Sequence, residues 1–197
     1  MSAVGAHQPG EVVLVRHAET EWSLNGRHTG LTDLPLTERG RARAAELAPA
    51  LARFSFALVL TSPSRRARET AELCGLGERA SVRDDLHEWD YGDYEGLTTP
   101  QIHVERPDWN LWRDGCPGGE APAQVGARAD RVIAELRASG AEAAVFSHGH
   151  MLRVLGARWI GLEPAGGAHL KLSTAAVSVL GYERDAATLN RWGCAAP

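Results

Sequence analysis

Val12-Val13-Leu14-Val15-Arg16-His17 is the stretch that decides the class of fold. Four consecutive apolar residues, three of them β-branched, have no polar alternation. That is the pattern of a strand buried on both faces of a sheet. Related runs recur at Phe56-Ala57-Leu58-Val59-Leu60 and Ala143-Ala144-Val145-Phe146. Helical signals lie between them. Thr37 stands as an N-cap before a helix carrying Ala45, Ala48, Leu51 and Ala52 on one face, and Pro49 within it should kink or shorten it. Residues 65–74 read as the next helix. Val125, Ala129, Val132, Ile133 and Leu136 recur at helical spacing, and residues 151–160 form another helix. Residues 168–192 hold two or three short strands. Strands alternating with helices predict a three-layer α/β/α sandwich with a mostly parallel central sheet.

The chain of 197 residues, 44% hydrophobic, suits one globular domain over residues 1–197. Residues 1–10 read as a loose tail. Residues 84–122, rich in Gly, Pro, Trp and Asp, read as an excursion over one end of the sheet with short helical pieces at best. The formal net charge of -4 and pI of about 6.1 argue against a nucleic-acid or membrane-surface partner, since neither would meet a basic field. Cys74, Cys116 and Cys194 are scattered, with no paired metal spacing, which points to a reducing compartment. The first ten residues lack the charged start and apolar run of a signal peptide, and no later stretch approaches a membrane span. The expected location is cytoplasmic.

In open α/β sheets, ligand sites form beyond the carboxyl ends of the strands. Here those ends carry Arg16-His17, then Thr61-Ser62-Pro63-Ser64-Arg65-Arg66, then Ser147-His148-Gly149-His150. If the three strands are parallel neighbours, two histidines and at least two arginines meet at one sheet edge as an anion site with candidate nucleophiles. Any one of these residues alone is more simply a structural, hydrogen-bonded group; the argument rests on their coincidence. Lys171, the only lysine, follows Leu170, so there is no GxxxxGK[ST] loop. Six residues after Cys74 and Cys116 come Ala80 and Pro122, so neither is followed by the arginine of a cysteine phosphatase loop. His148-Gly149-His150 has arginines rather than carboxylates beside it, a poor setting for a metal ion.

These motifs resemble the histidine phosphatase superfamily, also called phosphoglycerate mutase-like. Leu14-Val15-Arg16-His17-Ala18-Glu19-Thr20-Glu21-Trp22 is similar to its RHG signature, with Ala18 in place of glycine. His28-Thr29-Gly30, Pro35-Leu36-Thr37, Ser62-Pro63-Ser64-Arg65-Arg66-Ala67, Glu88-Trp89-Asp90-Tyr91-Gly92, Pro117-Gly118-Gly119-Glu120 and Ser147-His148-Gly149 follow in the family's order. Glu21-Trp22-Ser23 and the Glu88–Gly92 stretch are most similar to the acid-phosphatase-like branch. The resemblance implies His17 as a phosphorylated nucleophile, Arg16, Arg66 and His148 around the phosphoryl oxygens, and Glu88 as proton donor. It implies Thr29 and Gly30 in a substrate-phosphate loop, Gly149 as a further substrate-binding position, Tyr91 as a substrate-contacting tyrosine, and Ser23 as a hydrogen-bond donor to substrate where many members carry Asn. Arg65 is the expected solvated neighbour of Arg66. Asp90, Asp93 and Glu95 are expected to shape their loop, and Trp22, Trp89, Trp109 and Trp112 to wall the pocket or form a satellite core.

The chemistry implied is phosphoryl transfer without a cofactor or metal. Guanidiniums and a second imidazole neutralise the equatorial oxygens as the transition state forms. His17 must be neutral to attack, and cationic neighbours disfavour its protonation. Glu88 can protonate the leaving alkoxide if burial beside a phosphate dianion keeps it in its acid form. The expected substrate is a small phosphomonoester, a sugar phosphate or phosphorylated sugar acid, hydrolysed by a monomer or homodimer. The alternatives are a phosphoglycerate mutase using the same histidine, a metal-dependent hydrolase and a non-catalytic phosphometabolite binder.

Overall fold

The structure, a computed structural model, describes residues 10–194. The expected tail lies outside the described residues except for Gly10, whose N–H donates to the Gly140 carbonyl. The elements run β1 (Val12–Arg16), α1 (Glu21–Asn25), α2 (Glu38–Ala45), α3 (Ala48–Leu51), β2 (Leu58–Thr61), α4 (Arg65–Leu73), β3 (Ala80–Val82), α5 (Thr99–Glu105), α6 (Leu111–Asp114), α7 (Pro122–Ser139), β4 (Ala143–Ser147), α8 (Gly149–Trp159), β5 (Val177–Glu183) and β6 (Ala186–Cys194). The strands form one mixed sheet in the order β3-β2-β4-β1-β5-β6. β4 pairs in parallel with both β1 and β2, and β3 extends the parallel part beyond β2. β5 and β6 close the opposite side antiparallel.

Strand residues alternate between two cores, as a pleat requires. Val12, Leu14, Leu60, Val145 and Leu180 face α7 and α8 through Val125, Val132, Leu152 and Leu155. Val13, Val15, Val59, Phe146 and Val179 face α2, α3 and α4 through Ala44, Leu47, Leu51 and Ala71. The sandwich expected from the alternating pattern is therefore present, with one helical layer on each face.

Two local readings change. Thr37 does cap α2, accepting the Gly40 N–H at 2.9 Å. However, Pro49 falls in the first turn of a separate short helix, α3. The buried face is Gly40, Ala44, Leu47 and Leu51, whereas Ala45 and Ala52 are exposed. These buried positions keep one helical phase through the break, and the alanine count takes the neighbouring stripe, of which Leu51 is buried and Ala45 and Ala52 are not. β3 was not foreseen because it is three residues long and mostly exposed, which leaves no apolar run to read.

Residues 84–122 contain 3₁₀ turns at Asp84–Leu86 and Gly92–Tyr94 besides α5 and α6. They do more than pass over the sheet end. Leu86, Trp89, Tyr91, Ile102, Trp109 and Leu111 are buried in the same core as α7 and α8. Among the described residues, no helix is long and apolar enough to cross a membrane.

Candidate active site

β1, β4 and β2 lie side by side, so their carboxyl ends bring His17, His148 and Arg66 together. The rings of His17 and His148 are 5.1 Å apart between centroids. His17 Nδ1 lies 2.7 Å from the Ala18 carbonyl. A carbonyl only accepts, so Nδ1 carries the hydrogen and Nε2 keeps a free lone pair. Burial first, then the guanidiniums of Arg66 and Arg16, hold this imidazole well below the ordinary histidine range, against the smaller opposing effect of the Ala18 bond. His17 is thus buried, neutral and turned with a nucleophilic nitrogen free.

The two arginines differ. Arg16 Nη1 donates to the Leu172 carbonyl at 2.6 Å, while its buried Nε has no acceptor among the described residues. Gly149 makes room for this guanidinium: a Cβ there would stand 3.1 Å from Arg16 Cζ. Arg66 is fully buried and committed. Its Nε donates to His148 Nδ1 at 3.1 Å, and its terminal nitrogens donate to the carbonyls of Thr29, Gly30 and Thr32 at 2.9–3.2 Å. Because Arg66 can only donate, His148 carries its proton on Nε2, which donates to Ser62 Oγ at 2.7 Å. Burial and the charge of Arg66 keep His148 neutral as well. Arg65 is exposed and pairs with Glu69, as expected of the outer neighbour.

Glu88 comes from the 84–122 segment and caps α8. Its Oε1 accepts from the backbone N–H groups of Met151 (2.9 Å) and Trp89 (2.9 Å), and its Oε2 from that of His150 (3.1 Å). The contacts to His150 and Met151 satisfy N–H groups of the first turn of α8 that have no intrahelical acceptor. They also fix the carboxylate in a cleft of about 180 Å³ that it shares with Arg16, His17, Ser23, Thr29 and Gly149.

Other expected site residues are placed differently. Gly30 is buried, its N–H bound to the Glu95 carboxylate at 2.9 Å and its carbonyl to Arg66. A Cβ at that position would come within 2.7 Å of both Glu95 and the Trp89 carbonyl, so Gly30 shapes the loop behind the cleft wall. Tyr91 lines the cleft, and its hydroxyl is 2.6 Å from His150 Nδ1. Ser23 lines the cleft, yet its hydroxyl donates to the Thr20 carbonyl and accepts the Thr20 N–H, both at 2.9 Å. Trp89 and Trp109 are core residues, and Trp112 lies behind Arg153 and His150. Glu95 and Asp90 bond backbone N–H groups, as expected of loop-shaping carboxylates.

Sequence reasoning did not select Arg27, His28, His150 or Arg153, all of which line the cleft. Of these, only His150 belonged to a strand-end cluster. The others are brought in by loop closure and helix register. Burial pushes His28 down to about 4, Glu95 acting weakly the other way. Among the described residues, no group of three or more His, Cys, Asp or Glu side chains is placed to hold a metal ion.

Residues 12–195 match the family model described as histidine phosphatase superfamily, branch 1. An acid phosphatase of Mycobacterium tuberculosis is 43% identical over 176 residues, 87% of this chain and 86% of that protein. A sedoheptulose 1,7-bisphosphatase of Saccharomyces cerevisiae is 40% identical over 183 residues, 76% of this chain and 67% of that one. The solved structure of a Mycobacterium tuberculosis open reading frame superposes with a TM-score of 0.91 at 40% identity, covering 95% of this chain and 99% of that one. With sequence and fold matched across nearly its whole described length, this chain belongs to the histidine phosphatase superfamily.

Proposed function

We propose that this protein is a metal-independent phosphomonoesterase that hydrolyses small phosphorylated metabolites, sugar phosphates or phosphorylated sugar acids, through a phosphohistidine on His17. The observation that carries the reading is the pairing of a buried, unsatisfied Arg16 Nε–H with a neutral His17 whose Nε2 is free. A buried donor without an acceptor is costly, and a bound anion supplies the acceptor. The names of the acid phosphatase and bisphosphatase relatives support the same reading.

In the reaction, the His17 Nε2 lone pair forms an N–P bond as the ester P–O bond breaks. The departing oxygen keeps the electron pair and takes a proton from Glu88. Oε2 accepts one N–H bond where Oε1 accepts two, so Oε2 is the oxygen with room to carry that proton. The Ala18 carbonyl, already bonded to Nδ1–H, stabilises the positive charge that builds on the ring. Water then attacks phosphorus and gives a proton to the same carboxylate. The N–P bond breaks, the imidazole is restored and inorganic phosphate leaves. Arg16 supplies charge and donors to the phosphoryl oxygens. Arg66, through His148 and the residue 29–32 carbonyls, holds the floor against which they are bound. The cations around His17 disfavour a resident metal ion, which supports the metal-independent form of the reaction.

The test is turnover of p-nitrophenyl phosphate in excess chelator, with and without His17→Ala. Full activity in chelator is expected, with loss of at least about 10⁴-fold in the variant, as for removal of a nucleophile. Wild-type turnover by His17→Ala overturns the mechanism. Efficient exchange of 3-phosphoglycerate and 2-phosphoglycerate with little phosphate release identifies a mutase instead.

A further inference from the structure

The outer wall of the cleft carries donors that the phosphoryl chemistry does not use. His150 lies two residues after His148, at the start of α8. The Tyr91 O–H is buried and has His150 Nδ1 as its sole bonded partner among the described residues. If the imidazole were the donor, the phenolic hydrogen would be left buried without an acceptor. The hydroxyl therefore donates, and the His150 proton sits on Nε2. No described residue takes that Nε2–H, and His150 lines the cleft. Burial raises the Tyr91 hydroxyl well above its ordinary range and keeps His150 neutral, which agrees with this direction of donation.

Arg153 stands three residues along α8, on the same helical face. Its guanidinium lies 4.5 Å over the Trp112 ring, and the His150 ring is 5.3 Å from that same ring. One indole therefore orders both side chains. Arg153 Nε and Nη2 donate to the carbonyls of Gly167 and Ala168, which aims the group and leaves its charge unneutralised. Among the described residues, no carboxylate pairs with Arg153 or with Arg27 across the cleft. Glu88, the carboxylate of the cleft, is engaged in capping α8. Arg66 and Arg16 are the cations whose charge acts on His17, whereas Arg153 is the first to act on His150. A phosphoryl group at His17 met by Arg16 therefore leaves the Arg153 charge and the His150 Nε2–H for another anion.

We infer that His150 and Arg153 form a second-anion subsite, with Tyr91 as the positioning residue that fixes the His150 tautomer, and that this subsite selects phosphomonoesters whose leaving group bears a further phosphate or a carboxylate. The inference rests on the phosphatase reading. It moves the specificity contact from the Tyr91 hydroxyl to the histidine that the hydroxyl orients.

The experiment compares kcat/KM within two matched pairs: 3-phosphoglycerate against glycerol 3-phosphate, and fructose 1,6-bisphosphate against fructose 6-phosphate. The wild type is expected to prefer the doubly anionic member of at least one pair, and the pair that shows the preference identifies carboxylate or phosphate as the second anion. His150→Phe and Arg153→Gln, made separately, are expected to lower that preference about ten- to hundredfold, as for loss of a charge-assisted hydrogen bond. Tyr91→Phe is expected to lower it less, through KM for the anionic member, because Nδ1 can then hold the proton. Each ratio is internal to one variant, so a general loss of folded enzyme does not imitate the effect. If Arg153→Gln fails to fold for want of its bonds to residues 167 and 168, His150→Phe decides. A wild type without preference in either pair, or a preference unchanged by His150→Phe, overturns the subsite. A wild type that hydrolyses neither these esters nor p-nitrophenyl phosphate overturns the phosphatase reading itself.

Discussion

The floor of the cleft and its outer wall are built by different rules. The floor comes from the ends of three adjacent parallel strands, and its groups are tied down from behind: Arg66 alone bonds an imidazole and three backbone carbonyls. The wall comes from the turn of residues 26–29, the 84–122 segment and the first two turns of α8. Its groups keep unused donors facing the cleft. A committed floor suits chemistry common to every substrate, and a wall with spare donors suits discrimination among leaving groups.

The two arginines at the floor give the sharpest way to break this contrast. Arg16 keeps a buried donor unused and makes one bond, to the Leu172 carbonyl, so Arg16→Gln is expected to lower kcat/KM on the order of 10²–10³-fold, as for one preorganised donor, with a smaller loss of stability than at Arg66. Arg66→Gln is expected to lower kcat/KM and also to destabilise the fold by several kcal/mol, at about 1–3 kcal/mol for each buried acceptor left unpaired. Kinetics and thermal melts on both variants check this. Equal stability losses would mean that Arg16 is as structural as Arg66.

A smaller, graded effect is expected from pH, and it reaches both regions. His17 and His148 in the floor and His150 in the wall all fold in the neutral form with protonation depressed below the ordinary value, and His28 is pushed to about 4. Below about pH 6.5 the unfolded chain takes up protons that the folded chain refuses. Stability from these groups is therefore fully present above that pH and is lost as pH falls toward the folded values. The melting midpoint is expected to drop between pH 7 and pH 5, with a shallower drop in His28→Phe. The acid limb of kcat/KM is expected below the ordinary histidine range, since His17 stays a free base there. A midpoint that rises on acidification would contradict the burial seen at all four rings.

The floor was legible in the sequence because its information is local. A strand ending in Arg16-His17 and another ending in Ser147-His148 announce their own positions, and the parallel order of β1, β4 and β2 joins them. The wall was legible only in part: Ser23, Thr29, Glu88, Tyr91 and Gly149 were named and line the cleft, but the pairs that fix it are set by closure between distant segments. Gly30 meets Glu95 across 65 residues, and Tyr91 meets His150 across 59. The family resemblance named Glu88 and Tyr91 but not what their polar atoms bond. Glu88 is also the cap of α8, and the Tyr91 hydroxyl is given to His150. The face of α2 and α3 was misread at Ala45 and Ala52 for a different reason: alanine marks a face weakly, and the stripe through Ala44, Leu47 and Leu51 is the one that packs on the sheet.

Ser23 sharpens the comparison at its smallest scale, since the resemblance put it in the wall as a substrate donor. In the structure it is the third residue of α1, a helix of five residues. Its hydroxyl accepts the Thr20 N–H and gives its one hydrogen to the Thr20 carbonyl, while Thr20 Oγ1 accepts the Ser23 N–H at 3.2 Å. This is a reciprocal capping box, with serine in the place usually held by Glu or Gln. A hydroxyl has one hydrogen, so donation to a substrate requires breaking the bond to Thr20. Ser23→Ala is accordingly expected to cost about 0.5–1 kcal/mol, a shift of roughly 2–4 °C in melting midpoint, and to raise KM less than about threefold. A KM rise of about tenfold or more with an unmoved midpoint would return Ser23 to the wall as a binding group.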